Sequence, residues 1–341
     1  MVNEVVTERD WISAHAFYHG DIDRLVGDVV APLRARFDSE NQVTSSFFLR
    51  YWDGGPHLRL RVLPAARSER AGVEAAIADA FSGFFERSPA ADVLTAADYA
   101  RMAPRLAAGE GLTKYHTELC ANNTLVFSTY RREHDRYGDG ATIQAVEHHF
   151  AESSTVAELL IESAAGRRTR LAVATAAIVL GWYAAFPDPA ELVGRLVAAP
   201  GIPSAAEQVW NPQSLAPLVA KMRSLAADTG SRHPIGPLPG WGRSVAALAG
   251  RLRTERAAAM LPAQPLGWTG PGAVRSGPSA DPVLTVVDMC IHLLCNRIGV
   301  GPVAESALRS AARQGHAAHK PPHTGPPRKN GTLEHPPPQK N

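Results

Sequence analysis

The sequence predicts an α+β fold, with an antiparallel sheet in its N-terminal part packed against a mostly helical C-terminal part. Three observations carry this reading. Runs of strand composition concentrate in residues 1–140, apolar spacing near 3.6 takes over from Ala141, and the two kinds of element are segregated rather than alternating. At 341 residues, with 45% apolar and 20% charged, the chain has ample interior to bury.

Each element has a local cause. Residues 11–18, WISAHAFY, have strand composition, and Asp21 caps a helix towards Arg36 that Pro32 kinks or shortens. Residues 44–51 and 57–62 form two strands joined by Trp52-Asp53-Gly54-Gly55-Pro56, a turn-rich segment. In the second strand His57, Arg59 and Arg61 alternate with Leu58, Leu60 and Val62. A period of two places the polar side chains on one face and the aliphatic ones on the other. Residues 68–87 form an amphipathic helix opened by Ser68 and Glu69, and 125–130 return to strand. Helices follow over 141–165, 169–186 and 188–199, then 204–259 with Pro/Gly breaks at 234–242. The Gly/Pro/Ser-rich loop 262–282 precedes a final apolar helix, 281–298. From 315 to 341 the sequence is Pro-rich, lacks apolar residues and is expected to be disordered. The division is one domain over 1–314, strand-rich to 140 and helix-rich from 141, followed by that tail.

Composition narrows the function. Lys plus Arg (35) against Asp plus Glu (33) leaves +2, without the basic excess of a general nucleic-acid binder. Three cysteines, Cys120, Cys290 and Cys295, make no disulfide framework or zinc spacing, so a reduced, cytoplasmic setting is expected. The acidic start MVNEVVTERD is unlike a signal peptide, and the most apolar run, 171–186, reads as a buried helix rather than a membrane span. No nucleotide fingerprint, phosphate loop or metal-ligand cluster occurs, so no cofactor or metal is implied.

The densest polar segment is 47–61, FFLRYWDGGPHLRLR. Its Arg59, Arg61 and His57 offer a cationic face on a rigid strand, where a site is held more precisely than on a loop. The competing reading is the solvated outer face of an edge strand. This segment resembles the signature of the thiopeptide-type bacteriocin biosynthesis family, which shares its fold with the C-terminal elimination domain of lanthipeptide dehydratases. Three further stretches resemble that family in its own order: Tyr130 to Gly138, YRREHDRYG; His149 to Ser153, HFAES; and His292 to Arg297, HLLCNR. Together they span 11–299. Departures are Asp139 for a second glycine, Glu152 for an aspartate and Leu293 for a methionine.

The resemblance implies one of two activities on a leader-bearing precursor peptide. One is pyridine synthesis, a formal aza-[4+2] cycloaddition of two dehydroalanines. The other is elimination of glutamate from glutamylated Ser or Thr, and at this length the glutamylating domain of full-length dehydratases is not expected. A catalytically silent peptide-binding scaffold is the third reading. The resemblance further implies His292, Tyr130, Glu133, Arg59, Arg61 and Arg136 as the catalytic set, and Arg50, His57, Ser153, Asn296 and Arg297 as substrate-binding. Histidine suits proton transfer near neutrality and arginine suits paired carboxylate contacts. Structural alternatives stand beside these: His292 as a hydrogen-bonded core residue, Asn296 and Arg297 as ties for the helix end, Ser153 as a surface hydroxyl and Tyr130 as packing. Expected partners are the precursor peptide, other biosynthetic enzymes and a second copy in a homodimer; nucleic acid and membrane are not expected. The helical stretch 204–256 leaves room for a large multi-azole substrate, which favours pyridine synthesis. Arg167-Arg168-Arg170 and Arg251-Arg253-Arg256 read as solvated faces, with a grip on an acidic leader as the functional alternative.

Overall fold

The computed structural model describes residues 6–163, 165–186, 188, 192, 212–228, 236–257, 260–266 and 280–318. Strand β1 (Ile12–Phe17) leads to a helix that Asp21 caps by accepting from the Asp23 amide at 2.9 Å. That helix runs as α1 (Ile22–Leu25), loosens into a π-turn over Val26–Val30, and continues as α2 (Ala31–Ser39). Pro32, which lacks the amide needed by the ladder, lies in the first turn of α2, so the expected kink is a π-turn beside it.

The hairpin β2 (Val43–Tyr51) and β3 (His57–Pro64) follows, then α3 (Arg70–Arg87), α4 (Ala96–Glu110) and β4 (Thr124–Phe127). The sheet is antiparallel in the order β2-β3-β1-β4, so β3 is an inner strand. This removes the reading of its arginine face as the outside of an edge strand. β4 ends three residues short of the expected strand, and Tyr130 lies beyond it. The aliphatic face of β1 and β3, with Ile12, Ala14, Leu58, Leu60 and Val62, is buried beneath α1, α2 and α3. Helix α4 lay outside the sequence reading; Thr95 opens it with a capping box, accepting from the Asp98 amide at 3.1 Å while its own hydroxyl donates to that carboxylate at 2.6 Å.

Helices α5 (His134–Tyr137), α6 (Gly140–Glu162), α7 (Arg167–Ala185), α8 (Pro212–Ala227), α9 (Pro237–Ala257), α10 (Pro282–Arg297) and α11 (Pro302–Ala318) form the other half. Most of α7 is buried, as its apolar run requires, and among the described residues no helix is long and apolar enough to cross a membrane. Pro237 and Pro239 stand in the first turn of α9, so the expected break at 234–242 ends earlier than the sequence suggested. Helix α10 is not the last, because α11 follows and extends into the region expected to be disordered. The expected helix over 188–199, the stretches 204–211 and 229–235, most of the 262–282 loop and the tail beyond 318 lie outside the described residues. One continuous apolar core joins the sheet to the helices, with α6 and α10 abutting β2.

Candidate active site

Strand register builds the floor. His57, Arg59 and Arg61 pair across to Tyr51, Leu49 and Phe47 on β2 and to Phe17, His15 and Ser13 on β1, so all share one face. His57 is fully buried. Its Nδ1 donates to the Gly55 carbonyl at 2.8 Å and its Nε2 accepts from Arg59 Nε at 3.1 Å, which fixes the tautomer. Burial, and then the Arg59 charge, push the His57 imidazole down to about 3. His15, stacked on His57 at 5.1 Å, is pushed to about 2 by burial and by Arg61 and Arg59. Both rings are therefore neutral near pH 7, and the positive charge of this face belongs to the two arginines.

The guanidiniums are held differently. Arg59 lies over the Tyr51 ring at 3.6 Å and 3.9 Å from Asp53. Arg61 lies 5.4 Å over the Tyr130 ring, and among the described residues its hydrogen bond is a long one, 3.5 Å, to the Leu60 carbonyl with no carboxylate in ion-pair contact. Burial, and then Arg59 beside it, bring the Arg61 guanidinium down to about 9. A buried cation without an acid partner is costly, and an anionic or strongly polar group brought against it would offset that cost.

The turn after β2 closes one end. Gly54 and Gly55 have φ of +87° and +114°, and a Cβ on them would meet Cys120 Sγ at 2.9 Å and Leu119 Cδ1 at 2.7 Å. The Asp-Gly-Gly triplet is thus required by backbone shape and by the close approach of segment 111–123. Tyr99 on α4 ties both together, accepting from the Gly54 amide at 2.8 Å and donating to the His116 carbonyl at 2.6 Å. Glu110, at the end of α4, accepts from Tyr51 Oη and Trp52 Nε1, each at 2.7 Å, and Trp52 packs on Tyr115 at 6.2 Å. An aromatic wall therefore stands beside the arginines.

The YRREHDRYG segment divides its labour. Tyr130 is 9% exposed between Trp11, Phe47 and Arg61, and burial together with Glu147 holds its phenol well above the ordinary value. Glu133 pairs with Arg136 Nε at 2.7 Å, and its charge reaches Arg59 and Arg61. Arg136 also reaches Met289 Sδ on α10 at 3.9 Å. Arg132 is instead a staple, gripping buried Glu147 of α6 through both oxygens at 2.7 and 2.8 Å. Gly138, with φ +80°, leaves no space for a side chain beside the Met260 carbonyl, 2.4 Å from a Cβ there.

The expected substrate-binding residues Arg50, Ser153, Asn296 and Arg297 are gathered at the edge of β2 and bonded there. β2 is an edge strand whose outward backbone groups need partners. The Asn296 amide accepts from Arg50 N at 3.0 Å and donates to Arg50 O at 2.9 Å. Arg297 Nε donates to Phe48 O at 2.8 Å and its Nη1 to Ser153 Oγ at 3.1 Å, while Ser154 Oγ accepts from Phe48 N at 3.2 Å. Arg50's side chain turns to the other sheet face, to Asp23 and the Arg297 carbonyl. Asp23 also holds Arg170 at 2.5 Å, so that arginine is not on a solvated face. Ser153 and Arg297 are fully buried. Side chains of α6 and α10 thus seal the sheet edge as a further strand would.

His292 stands on α10, one turn before Asn296. Its Nδ1 lies 2.7 Å from buried Glu305 on α11, and its side chain is 20% exposed. Met289, touched by Arg136, lies three residues earlier on the same helix. The hairpin and α10 adjoin through the bonds of Asn296 and Arg297 to β2. The residues that sequence reasoning missed are His15, Asp53, Glu110 and Glu305. Alternation with Ser13 and Phe17 on β1 was the available signal for His15, whereas the other three join the site only through tertiary contacts. The assembled arginine face can hold and polarise a carbonyl or carboxylate against aromatic rings, while His292 can move a proton.

A family model for the lantibiotic biosynthesis dehydratase C-terminus matches residues 11–316. No curated protein matches the chain. Among solved structures, the pyridine synthase TbtD of thiomuracin biosynthesis superposes with a TM-score of 0.67 at 18% identity, covering 91% of this chain and 98% of that one. The tRNA-dependent lantibiotic dehydratase MibB of Microbispora sp. 107891 gives 0.52 at 19% identity, over 92% of this chain and 28% of that one. TsrL gives 0.53 at 16% identity, over 91% and 95%. At these identities the likeness is one of fold.

Proposed function

The chain belongs to the lantibiotic biosynthesis dehydratase C-terminal family, and on that footing we propose that it is a thiopeptide pyridine synthase. It joins two dehydroalanines of a leader-bearing precursor peptide by a formal aza-[4+2] cycloaddition. Loss of water and of the leader then gives the central pyridine and the macrocycle. One amide of the substrate must react as its iminol tautomer, which requires a donor to its oxygen and a group that moves its proton. Arg61 is the donor in this reading, Arg59 and Arg136 set the surrounding field, and His292 with Tyr130 and Glu133 carries protons. Tethering the two alkenes in contact supplies much of the rate, because it removes the entropic barrier of bringing them together.

The observation that carries the reading is the buried guanidinium of Arg61, without an ion-pair partner among the described residues, over the Tyr130 ring, next to Arg59 over the Tyr51 ring. Flat rings next to a hydrogen-bond donor suit an azole-bearing peptide, and the end-to-end likeness to a pyridine synthase supports the same choice. Glutamate elimination is the second reading, favoured by two arginines side by side on β3 that suit a departing carboxylate. Incubation with a dehydrated, azole-containing precursor, followed by mass spectrometry, tests the choice. The pyridine macrocycle and a free leader amide are expected. Loss of glutamate from a glutamylated peptide, without macrocycle, overturns it in favour of elimination; leader binding with neither product leaves a scaffold.

A further inference from the structure

His292 stands at the end of a buried ionic chain that the mechanism above does not use. Its Nδ1 lies 2.7 Å from one oxygen of Glu305, whose other oxygen accepts from Arg309 Nε at 2.8 Å. Arg309 pairs through Nη1 with Asp288 Oδ1 and donates through Nη2 to the Asp288 carbonyl at 3.1 Å. Asp288 in turn accepts from Trp182 Nε1 at 3.0 Å. Glu305, Arg309 and Asp288 are almost wholly buried, whereas His292 keeps a fifth of its side chain in the open.

The groups facing Glu305 are Arg309 on its own helix and, on α10, His292 and the Cys295 thiol, which burial and then Glu305 hold well above its ordinary range. Burial alone would push the Glu305 carboxyl up, but Arg309 and His292 outweigh it and keep the group below its ordinary value. An ionised carboxylate on Nδ1 makes Nδ1 the protonated nitrogen, so the ring exchanges protons through Nε2. Shape alone does not require such an arrangement, since apolar residues commonly replace a buried ion pair without loss of stability.

We propose that Glu305 is a positioning residue for His292, fixing the ring's orientation and tautomer so that Nε2 faces the reacting peptide, with Arg309 and Asp288 holding Glu305 in place. The inference rests on the reading of His292 as a proton carrier. A proton that Nε2 takes from the substrate returns to the substrate, and Glu305 stays ionised throughout. Its role is that of the carboxylate behind a catalytic histidine, where loss of the charge alone costs a large factor in kcat.

The test uses the full chain with the dehydrated azole precursor, and side-chain 15N NMR of histidine-labelled protein with His292→Ala to assign the signal. The unaltered protein should show the neutral His292 ring protonated on Nδ1. Glu305→Gln should lower kcat by about 100-fold or more with KM within about twofold, and Glu305→Asp should recover part of the loss. A ring protonated on Nε2 in the unaltered protein, or a folded Glu305→Gln with the original kcat, overturns the proposal. Should Glu305→Gln not fold, the tautomer in the unaltered chain decides alone. If His292→Ala still turns over, the proton-carrier reading falls, and the tautomer still decides whether Glu305 orients the ring.

Discussion

Arg61 on β3 and Arg297 at the end of α10 are both buried guanidiniums that burial brings down to about 9. They belong to different motifs of one family and do opposite things. Arg297 gives Nε to a backbone carbonyl of β2 and Nη1 to a serine hydroxyl, which ties it to the sheet edge, while its buried Nη2 has no partner among the described residues. Arg61 faces a tyrosine ring with donors to spare. The lesson is that motif membership does not sort residues by role, whereas the groups each guanidinium holds do: Arg297 is bound to the edge of β2 and Arg61 is not. One arginine closes the fold and the other presents chemistry.

The contrast can be broken by substitution. Arg297→Met should leave Phe48 O and Ser153 without their donor and cost about 3 kcal/mol or more in urea unfolding, from lost bonds plus poor packing. An unchanged midpoint would make the edge seal incidental. Ser154→Ala removes the acceptor of the buried Phe48 amide, and a loss of about 1–3 kcal/mol is expected in the same assay.

Acid should sharpen the comparison. His57 and His15 on the arginine face, and His149 beneath α9, are held near 3, 2 and 3, well below the ordinary 6.5, in each case first by burial. The unfolded chain therefore binds more protons than the folded one between those values. Stability is fully present above about pH 6.5 and falls as the pH drops towards 3, by up to about 1.4 kcal/mol per pH unit for each group. His149→Gln should make the slope of unfolding midpoint against pH shallower, and a midpoint flat from pH 7 to 5 would contradict the assignment. The smallest effect is expected at Glu110→Gln, which weakens the clamp on Tyr51 and Trp52. KM for the azole peptide should rise a few-fold with the unfolding midpoint shifted by less than about 1 kcal/mol.

Much of this was readable in the chain. Alternation on β3 placed His57, Arg59 and Arg61 on one face, Asp21 announced the helix it caps, and Asp-Gly-Gly announced the hairpin turn. What was not readable is tertiary. Whether the arginine face meets water or a covering layer depends on strand order, which alternation does not encode. Asn296 and Arg297 seal β2 from nearly 250 positions away, a partnership that spacing along α10 does not reveal. Helix α4 has a legible Thr95-x-x-Asp98 start, and α11, with Glu305 inside it, follows a helix whose sequence reads as the last.

The most direct measurement is turnover of the dehydrated azole peptide by Arg61→Met, read by mass spectrometry alongside its urea unfolding midpoint. Loss of one preorganised donor to a developing negative oxygen should cut kcat by about 100- to 1,000-fold while the fold stays within about 1 kcal/mol of the original. Wild-type turnover by a folded Arg61→Met would mean that the arginine face of β3 is not where the reaction occurs.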